Sequence, residues 1–199
     1  MTSDPSSPAE LAAEAIETML SRHPVLVRLV VSQRAKFEGW LKCELAQDLE
    51  QMGLGPVQLE PRCGGTAVRP GRADLSFMTG GRRMLLELKT CNTNFRLPGA
   101  VSVTRPITKN TQGICDDCVK LRRAGGGVMA FVAFPLDPTD LAAFQPYLSR
   151  VLAAAGRPVA RADRLHQCSS RLSLLVTCLE VGPLADSSEY QGDAHHATP

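Results

Sequence analysis

The chain has 199 residues, of which 44% are hydrophobic and 21% are charged, and its formal net charge is +2. These values suffice for a hydrophobic core and are typical of a soluble globular protein, while they exclude a uniformly basic, polymer-binding protein. Any contact with nucleic acid must therefore depend on local clusters of Arg and Lys.

The cysteine content and the N-terminus indicate the compartment. Seven cysteines at irregular spacing argue against a disulfide framework. Residues 1–10 lack the basic and then apolar pattern of a secretion signal, and the apolar runs fall far short of the roughly 20 residues that span a bilayer. We therefore expect a soluble, cytoplasmic protein in a reducing compartment.

Two helices are predicted before the first strand. The first begins at the capping box Ser-Pro-Ala-Glu of residues 7–10 and ends at His23 and Pro24. A short apolar stretch, residues 25–31, leads into a stronger helix predicted over residues 33–52, which Gly53 should end. Its apolar positions recur at helical spacing: Phe37, Trp40, Leu41, Leu45, Leu49 and Met52.

Strands and helices alternate in the rest of the chain. The predicted order is strands over 57–60, 72–79 and 82–91, an irregular segment over 92–106, a helix over 107–124, a buried strand over 128–134, a helix over 139–155 and a strand over 171–181. This order predicts an α/β sandwich around a mixed sheet. The strand–helix–strand segment in its middle should make a right-handed parallel crossover.

The loop Gly80-Gly81 sets the register of a β-hairpin. Thr79 is then expected opposite Arg82 beside the turn, and three apolar pairs follow on one face: Phe77 with Met84, Leu75 with Leu86, and Ala73 with Leu88. On the other face the same register predicts Asp74 directly opposite Glu87, with Lys89 projecting from the same side.

Two opposed carboxylates destabilise a hairpin unless a cation lies between them or one of them is protonated. Mg²⁺ favours carboxylate, water and phosphate oxygens, and it can activate water for phosphodiester hydrolysis. Lys89 would orient that water or stabilise the developing negative charge. The competing interpretation is an acidic pair on an ordinary solvated hairpin.

The segment Arg-Ala-Asp-Leu at 72–75, followed by Leu-Glu-Leu-Lys-Thr at 86–90, resembles the PD-(D/E)XK signature of restriction-endonuclease-like nucleases. The resemblance covers residues 33–134, and Ala73 replaces the Pro that names the motif. It implies a restriction-endonuclease-like sandwich with a central mixed sheet flanked by helices. It also implies that Asp74 and Glu87 hold Mg²⁺, or Mn²⁺ in its place, and that Lys89 assists the attacking water.

The same resemblance implies a domain organisation and a substrate. We expect an N-terminal helical segment (1–32), a nuclease domain (33–181) and a disordered tail (182–199). The implied activity is that of a Mg²⁺-dependent endonuclease or exonuclease, with DNA favoured over RNA. Because no separate DNA-reading module is visible, we expect either low specificity or specificity supplied by a partner, and the partner is a second copy of the chain or another protein.

Further residues are candidates for supporting roles. Many such nucleases carry an acidic residue on the helix before the hairpin, and both Glu38 and Glu44 fall on the inward arc at ~100° per residue. Glu38 is the preferred candidate, and Glu44 stays open. Arg96, Arg105 and Lys109, in or beside the irregular segment, are expected to contact the nucleic-acid backbone.

Cys115 and Cys118 have a zinc-like spacing, but a structural zinc site needs four ligands, so we expect both to be core thiols without metal. Nearby, Lys120 should contact phosphate or complement the helix dipole. Two alternative functions stay open. One is a catalytically inactive domain of the same fold that binds nucleic acid or a protein partner, and the other is a zinc or redox module centred on the two cysteines.

Overall fold

A computed structural model describes residues 6–63, 71–104 and 106–184, which form a six-stranded mixed sheet between two layers of helices. The elements are α1 (Pro8–Arg22), α2 (Pro24–Gln33), α3 (Glu38–Gln51), β1 (Gln58–Leu59), β2 (Leu75–Thr79), β3 (Arg82–Asn92), α4 (Ile107–Arg123), β4 (Gly127–Leu136), a 3-10 helix (Leu141–Phe144), α5 (Gln145–Ala155), β5 (Ala160–Gln167) and β6 (Ser173–Val181). The predicted α/β class with a mixed sheet flanked by helices is therefore confirmed.

The strand order across the sheet is β1-β2-β3-β4-β6-β5. β3 and β4 are parallel, as the crossover through α4 predicts, and the other neighbouring strands are antiparallel. All ten positions of β4 are buried because helices cover both faces of this central strand. That burial explains its nearly continuous apolar sequence.

Each face of the sheet has its own hydrophobic core. Leu86 and Leu88 of β3 pack on the face covered by α1, α2 and α3. Leu85 and Cys91 of the same strand pack on the face covered by α4 and α5. The alternation of side chains along β3 therefore directs Glu87 and Lys89 towards the face covered by α4.

The N-terminal helix belongs to the core of the sheet. Ser7 caps α1 by accepting a hydrogen bond from the Glu10 backbone N–H at 3.2 Å, as the capping box predicts. The apolar stripe of α1, which includes Ala12, Ile16 and Met19, is completely buried in the same cluster as residues of β4 and β6. Residues of the predicted helical segment therefore share one core with the sheet.

The helix predicted over 33–52 begins five residues later than expected, at Glu38. Residues of the preceding apolar stretch form the separate helix α2, which ends where Arg34 adopts a left-handed φ of 54°. The reason lies outside the local sequence, because the Arg34 guanidinium is buried against backbone carbonyls of the irregular segment. Met52, expected on the apolar stripe, is 37% exposed.

Two differences concern the C-terminal half. The helix predicted over 139–155 is divided into a 3-10 turn and α5 at Gln145, next to Pro146. β5 was not predicted, because this edge strand alternates buried and exposed positions and carries Arg161, Asp163 and Arg164. Residues 185–199 of the predicted disordered tail lie outside the described residues.

The hairpin has the predicted register from Leu75–Leu86 to Thr79–Arg82. Gly80 and Gly81 have φ angles of +55° and +72°, a conformation that favours glycine at both turn positions. The expected Ala73–Leu88 pair on a single apolar face is wrong. The chain bends at Asp74, so Ala73 packs on the α4 and α5 side while Leu88 packs on the other.

Over the described ranges, no helix combines the length and the apolar character that crossing a bilayer requires.

Candidate active site

At its C-terminal end, strand β3 has one edge that β2 does not cover. Among the described residues, the ladder between β2 and β3 ends at the Leu75–Leu86 pair, whereas β3 continues to Asn92 beside β4. Two carboxylates bind the backbone N–H groups along this edge. Asp74 Oδ2 accepts from Leu88 at 2.9 Å, and Glu38 Oε2 accepts from Thr90 at 3.0 Å. Both carboxylates are thereby held beside the strand that carries Glu87 and Lys89.

Glu87 is a nearly inaccessible carboxylate, with 2% of the residue exposed. Its Oε1 atom lies 2.5 Å from Nζ of Lys120, and this ammonium also lies 3.9 Å from Asp117 Oδ1. Lys120 donates a further hydrogen bond, of 2.7 Å, to the carbonyl of Arg72. The last turns of α4 thus supply the counter-charge for the buried glutamate.

Lys89 lies between two other carboxylates. Its Nζ atom is 3.1 Å from Asp117 Oδ2 and 3.7 Å from Glu38 Oε1. Burial lowers the pKa of Lys89, but the attraction of Asp117 and Glu38 outweighs burial and leaves this pKa raised above its ordinary value. Lys89 is therefore a charged ammonium, fixed from both sides.

The pKa of Glu87 responds to the same group of charges. Burial raises it most, the contact with Lys120 lowers it, and repulsion from Asp117 and Asp74 adds to the rise, so that the pKa reaches about 7. Asp74 also contributes to the raised pKa of Lys89. The three residues of the predicted motif therefore interact electrostatically.

Two buried oxygen atoms in this group lack a hydrogen bond from the described residues: Glu87 Oε1 and Asp117 Oδ2. Each contacts a lysine ammonium at ion-pair distance, but the orientation is not that of a hydrogen bond. Both carboxylate oxygens are therefore paired with a lysine charge, and any further ligand would share them with that ammonium.

A third lysine approaches Asp74 from α3. Nζ of Lys42 lies 3.7 Å from Asp74 Oδ1 and 2.6 Å from Glu60 Oε1. The carboxylates of the site are Glu38, Asp74, Glu87 and Asp117, and its ammonium groups belong to Lys42, Lys89 and Lys120. With all of them ionised, the site carries an excess of negative charge, which a divalent cation would reduce.

The donor set is compatible with a hard divalent ion. In the part of the chain that the structure describes, no three His, Cys, Asp or Glu residues form a ready-made metal cluster. Mg²⁺ does not require one, because it usually binds one or two carboxylates and completes its shell with water and substrate phosphate oxygens. Asp74 and Glu87 would hold such an ion, since their two charges already interact, and the ion would compete with Lys120 for Glu87 Oε1.

The other predicted site residues are distributed as follows. Glu38 lies in the site, whereas Glu44 is held away from it by Arg22 at 3.4 Å and His23 at 3.5 Å. Lys109 and Arg96 are exposed, on α4 and in the irregular segment respectively. Arg105, predicted to contact the nucleic-acid backbone, lies outside the described residues.

Asp117, Lys120 and Lys42 were not predicted as members of the acidic site. The only local signal was the i, i+3 spacing of Asp117 and Lys120, which places them on one side of α4. Nothing in the sequence indicated that this side faces β3, and the nearby cysteine pair suggested a different chemistry.

The cysteine pair packs in the second core. Cys118 is completely buried, as predicted, and burial raises the pKa of its thiol to about 12. Cys115 is partly exposed, and its Sγ atom lies 3.7 Å from the carbonyl of Arg150. Burial also raises the pKa of Cys115. Both shifts disfavour the thiolate that zinc binding and redox exchange use.

Comparisons with protein-family models, with curated proteins and with solved structures found no match to this chain.

Proposed function

We propose that this protein is a Mg²⁺-dependent nuclease of the restriction-endonuclease-like kind, which hydrolyses phosphodiester bonds in nucleic acid and prefers DNA to RNA. The observation that supports this most is the buried Glu87 carboxylate. It lies under the influence of the Asp74 charge and on the same strand and face as Lys89. Burial of an acidic residue among other acidic residues is energetically unfavourable, and carboxylates with such shifted pKa values are concentrated at functional sites.

Each residue then has a separate role. Asp74 and Glu87 hold the divalent ion, which when bound supplies Lewis acidity and lowers the pKa of a bound water. Lys89, fixed between Asp117 and Glu38, keeps its ammonium at one position and stabilises negative charge on the phosphate oxygens. Glu38 has a positioning role, because it joins Lys89 to the Thr90 backbone.

The arrangement of elements agrees with this proposal. The hairpin of β2 and β3 is preceded by α3, and the parallel crossover through α4 follows it. The exposed side chains of Arg96 and Lys109 are available for contacts with phosphate groups. A second copy of the chain or a protein partner would supply sequence specificity.

The proposal is tested by incubating the protein with single- and double-stranded DNA and RNA in Mg²⁺, Mn²⁺ or EDTA. We expect cleavage with Mg²⁺ or Mn²⁺, none in EDTA, and faster cleavage of DNA. Asp74→Asn should reduce the rate by about 100-fold or more, because the ion loses an anionic ligand. Its stability should change by less than about 1 kcal/mol, since the amide oxygen can still accept from Leu88.

Asp140→Asn is the matched control, because Asp140 is exposed at the start of the 3-10 helix, away from β3. If Asp74→Asn unfolds the protein while cleavage per folded molecule persists, Asp74 is a structural residue and the proposal is wrong.

One observation favours the catalytically inactive alternative, a domain of the same kind that only binds nucleic acid or a protein. Lys120 and Lys89 already form ion pairs with Glu87 and Asp117, so part of the negative charge is compensated within the chain without a metal ion. Nucleic-acid binding without any metal-dependent cleavage would support this alternative.

A further inference from the structure

A cleft of about 420 Å³ opens beside the candidate active site, at the end of β3. Its polar lining consists mainly of Lys36, Thr90, Asn92, Ser102, Thr104 and Asn110. The volume falls in the range of roughly 300–1,000 Å³ that is usual for small-ligand sites. The cleft is thus large enough for one compact organic group with several hydrogen-bonding atoms.

The cleft and the active site share a wall. Thr90 lines the cleft, and its backbone N–H is bound by Glu38, whose other oxygen contacts Lys89. The two sites are therefore adjacent along one strand. Because Lys89 and Thr90 project from opposite faces of β3, a nucleic-acid strand bound at Lys89 would reach the cleft around the edge of β3 that β2 leaves uncovered.

The charges that line the cleft indicate which kind of ligand it binds. No Asp or Glu belongs to the described lining, whereas Lys36 and Arg34 do. Arg34 is occupied, because its guanidinium donates to the carbonyls of Val101, Thr93 and Phe95. Lys36 is exposed and makes no ion pair with the residues that the structure describes, so it is the cation available to an anionic ligand.

The remaining lining offers neutral donors and acceptors. Asn110 donates its Nδ2 to the carbonyl of Asn92 at 2.7 Å, which orients the amide and leaves its oxygen free to accept. Ser102 and Thr104 are exposed and contribute hydroxyl groups, and Val103 and Phe134 add apolar surface. One cation with neutral amides, hydroxyls and an apolar wall is the chemistry that recognises a nucleotide.

We propose that this cleft binds one unstacked nucleotide of a single strand, next to the phosphodiester bond that the active site hydrolyses. The inference rests on the proposed function and deepens it by assigning the substrate class. A nucleotide inside a duplex is stacked and paired, so it enters a cleft only after it leaves the helix. Single strands and frayed strand ends meet this condition without that loss of stacking.

The test measures binding in EDTA, so that metal chemistry does not enter. A fluorescent single-stranded DNA, the duplex of the same sequence and a deoxynucleoside monophosphate are titrated with the full chain. We expect the single strand to bind at least tenfold more tightly than the duplex, and the monophosphate to compete with it.

Two variants locate the binding. Ser102→Trp fills the cleft and should weaken single-strand binding about tenfold or more, and Lys36→Gln should weaken it by several-fold and reduce its salt dependence. Both positions are exposed, so folding should be retained. Ser170→Trp and Arg157→Gln are matched controls at exposed positions outside the cleft, and they should bind like the unmodified chain.

Unchanged binding in Ser102→Trp, or equal affinity for duplex and single strand, would overturn the assignment of the cleft. The two proposals fail separately. Mg²⁺-dependent cleavage with unaffected binding in Ser102→Trp rejects the cleft and leaves the nuclease proposal standing. Loss of binding in Ser102→Trp without cleavage by any form supports the cleft and rejects the nuclease proposal.

Discussion

At the scale of single residues, the main feature is the burial of the Glu87 carboxylate. A buried carboxylate is destabilising when ionised unless a counter-charge compensates for its lost hydration. Lys120 provides that charge at 2.5 Å, yet the pKa of Glu87 still reaches about 7 because burial, together with the nearby charges of Asp117 and Asp74, outweighs this contact. The ion pair therefore compensates only part of the energetic penalty of burial.

Because the ion pair compensates only partly for burial of Glu87, we predict that the free energy of unfolding measured in EDTA depends on pH. The pKa of Glu87 rises from 4.5 to about 7 on folding. Protonated Glu87 therefore stabilises the folded state fully below pH 4.5, and this stabilisation is lost as the pH rises from 4.5 through 7. At about 1.4 kcal/mol per pKa unit, the loss amounts to about 3 kcal/mol.

Glu87→Gln should not show this loss, so its free energy of unfolding should increase relative to the unmodified chain between pH 4.5 and 8. Urea unfolding across this range measures the difference, and Glu14→Gln, at an exposed position of α1, is the control. A constant difference across the range would mean that Glu87 does not titrate with a raised pKa.

Lys89 is expected to separate metal binding from catalysis. Lys89→Ala should keep Mn²⁺ affinity within a few-fold of the original value, because the lysine is not a ligand, but lose about 100-fold or more in cleavage rate. It should also lower stability by about 1–3 kcal/mol, since Asp117 loses its 3.1 Å ion pair and keeps only the 3.9 Å contact with Lys120. Calorimetric Mn²⁺ titration and cleavage rates per folded molecule test this, and an unchanged rate would remove Lys89 from the mechanism.

At the scale of elements, Arg34 determines where α3 begins and where the irregular segment lies. Its Nε atom donates to the Val101 carbonyl at 2.5 Å, and its two terminal nitrogens donate to the carbonyls of Thr93 and Phe95. The planar guanidinium reaches these carbonyls from three separate nitrogens in a fixed geometry, whereas an ammonium carries all its donors on one nitrogen atom. Arg34 thus links the turn before α3 to the wall of the cleft.

Arg34→Lys should therefore destabilise the fold by about 2–4 kcal/mol, because the lysine cannot replace all three donors to one buried and two partly buried carbonyls. Hydrogen exchange should accelerate at the Val101 amide, which donates to Ser32, more than at the amides of β4. Arg28→Lys, on the exposed side of α2, is the control. Equal exchange at Val101 in both variants would contradict the role of Arg34.

At the scale of the whole molecule, the helices of the N-terminal segment and the sheet form one unit. α1 packs along β5 and β6, whose strands come last in the chain, and its buried stripe completes the first core. The edge strand β5 is anchored by the same contact, with Arg164 binding Glu10 at 2.5 Å. Unfolding of α1 should therefore expose one face of the sheet.

Ile16→Ala tests this cooperativity. The side chain is completely buried, so the loss of stability should be about 2–5 kcal/mol. Circular dichroism reports all elements, and fluorescence reports α3 through Trp40, the single tryptophan. The urea midpoints of both signals should fall together in Ile16→Ala. Leu26→Ala, at a partly exposed position of α2, should change these midpoints little. A shift in circular dichroism alone would mean that α1 unfolds separately.

Local sequence determined the parts of this protein that depend on neighbouring residues. The turn Gly80-Gly81 predicted the register of the hairpin, and apolar periodicity predicted α1, α4 and β4, because turn geometry and side-chain alternation act over a few residues. The register also predicted Asp74 directly opposite Glu87, but the ladder ends at Leu75, and Asp74 reaches the strand of Glu87 and Lys89 through its side chain, which accepts from Leu88.

Only the tertiary structure decided what surrounds this motif. Glu38 binds Thr90 across 52 positions of the chain, and Asp117 and Lys120 reach β3 because α4 crosses back over the sheet. The start of α3 and the existence of β5 likewise depend on Arg34 contacts and on a neighbouring strand. These features arise from packing between distant segments, and the pattern of a single segment does not contain that information.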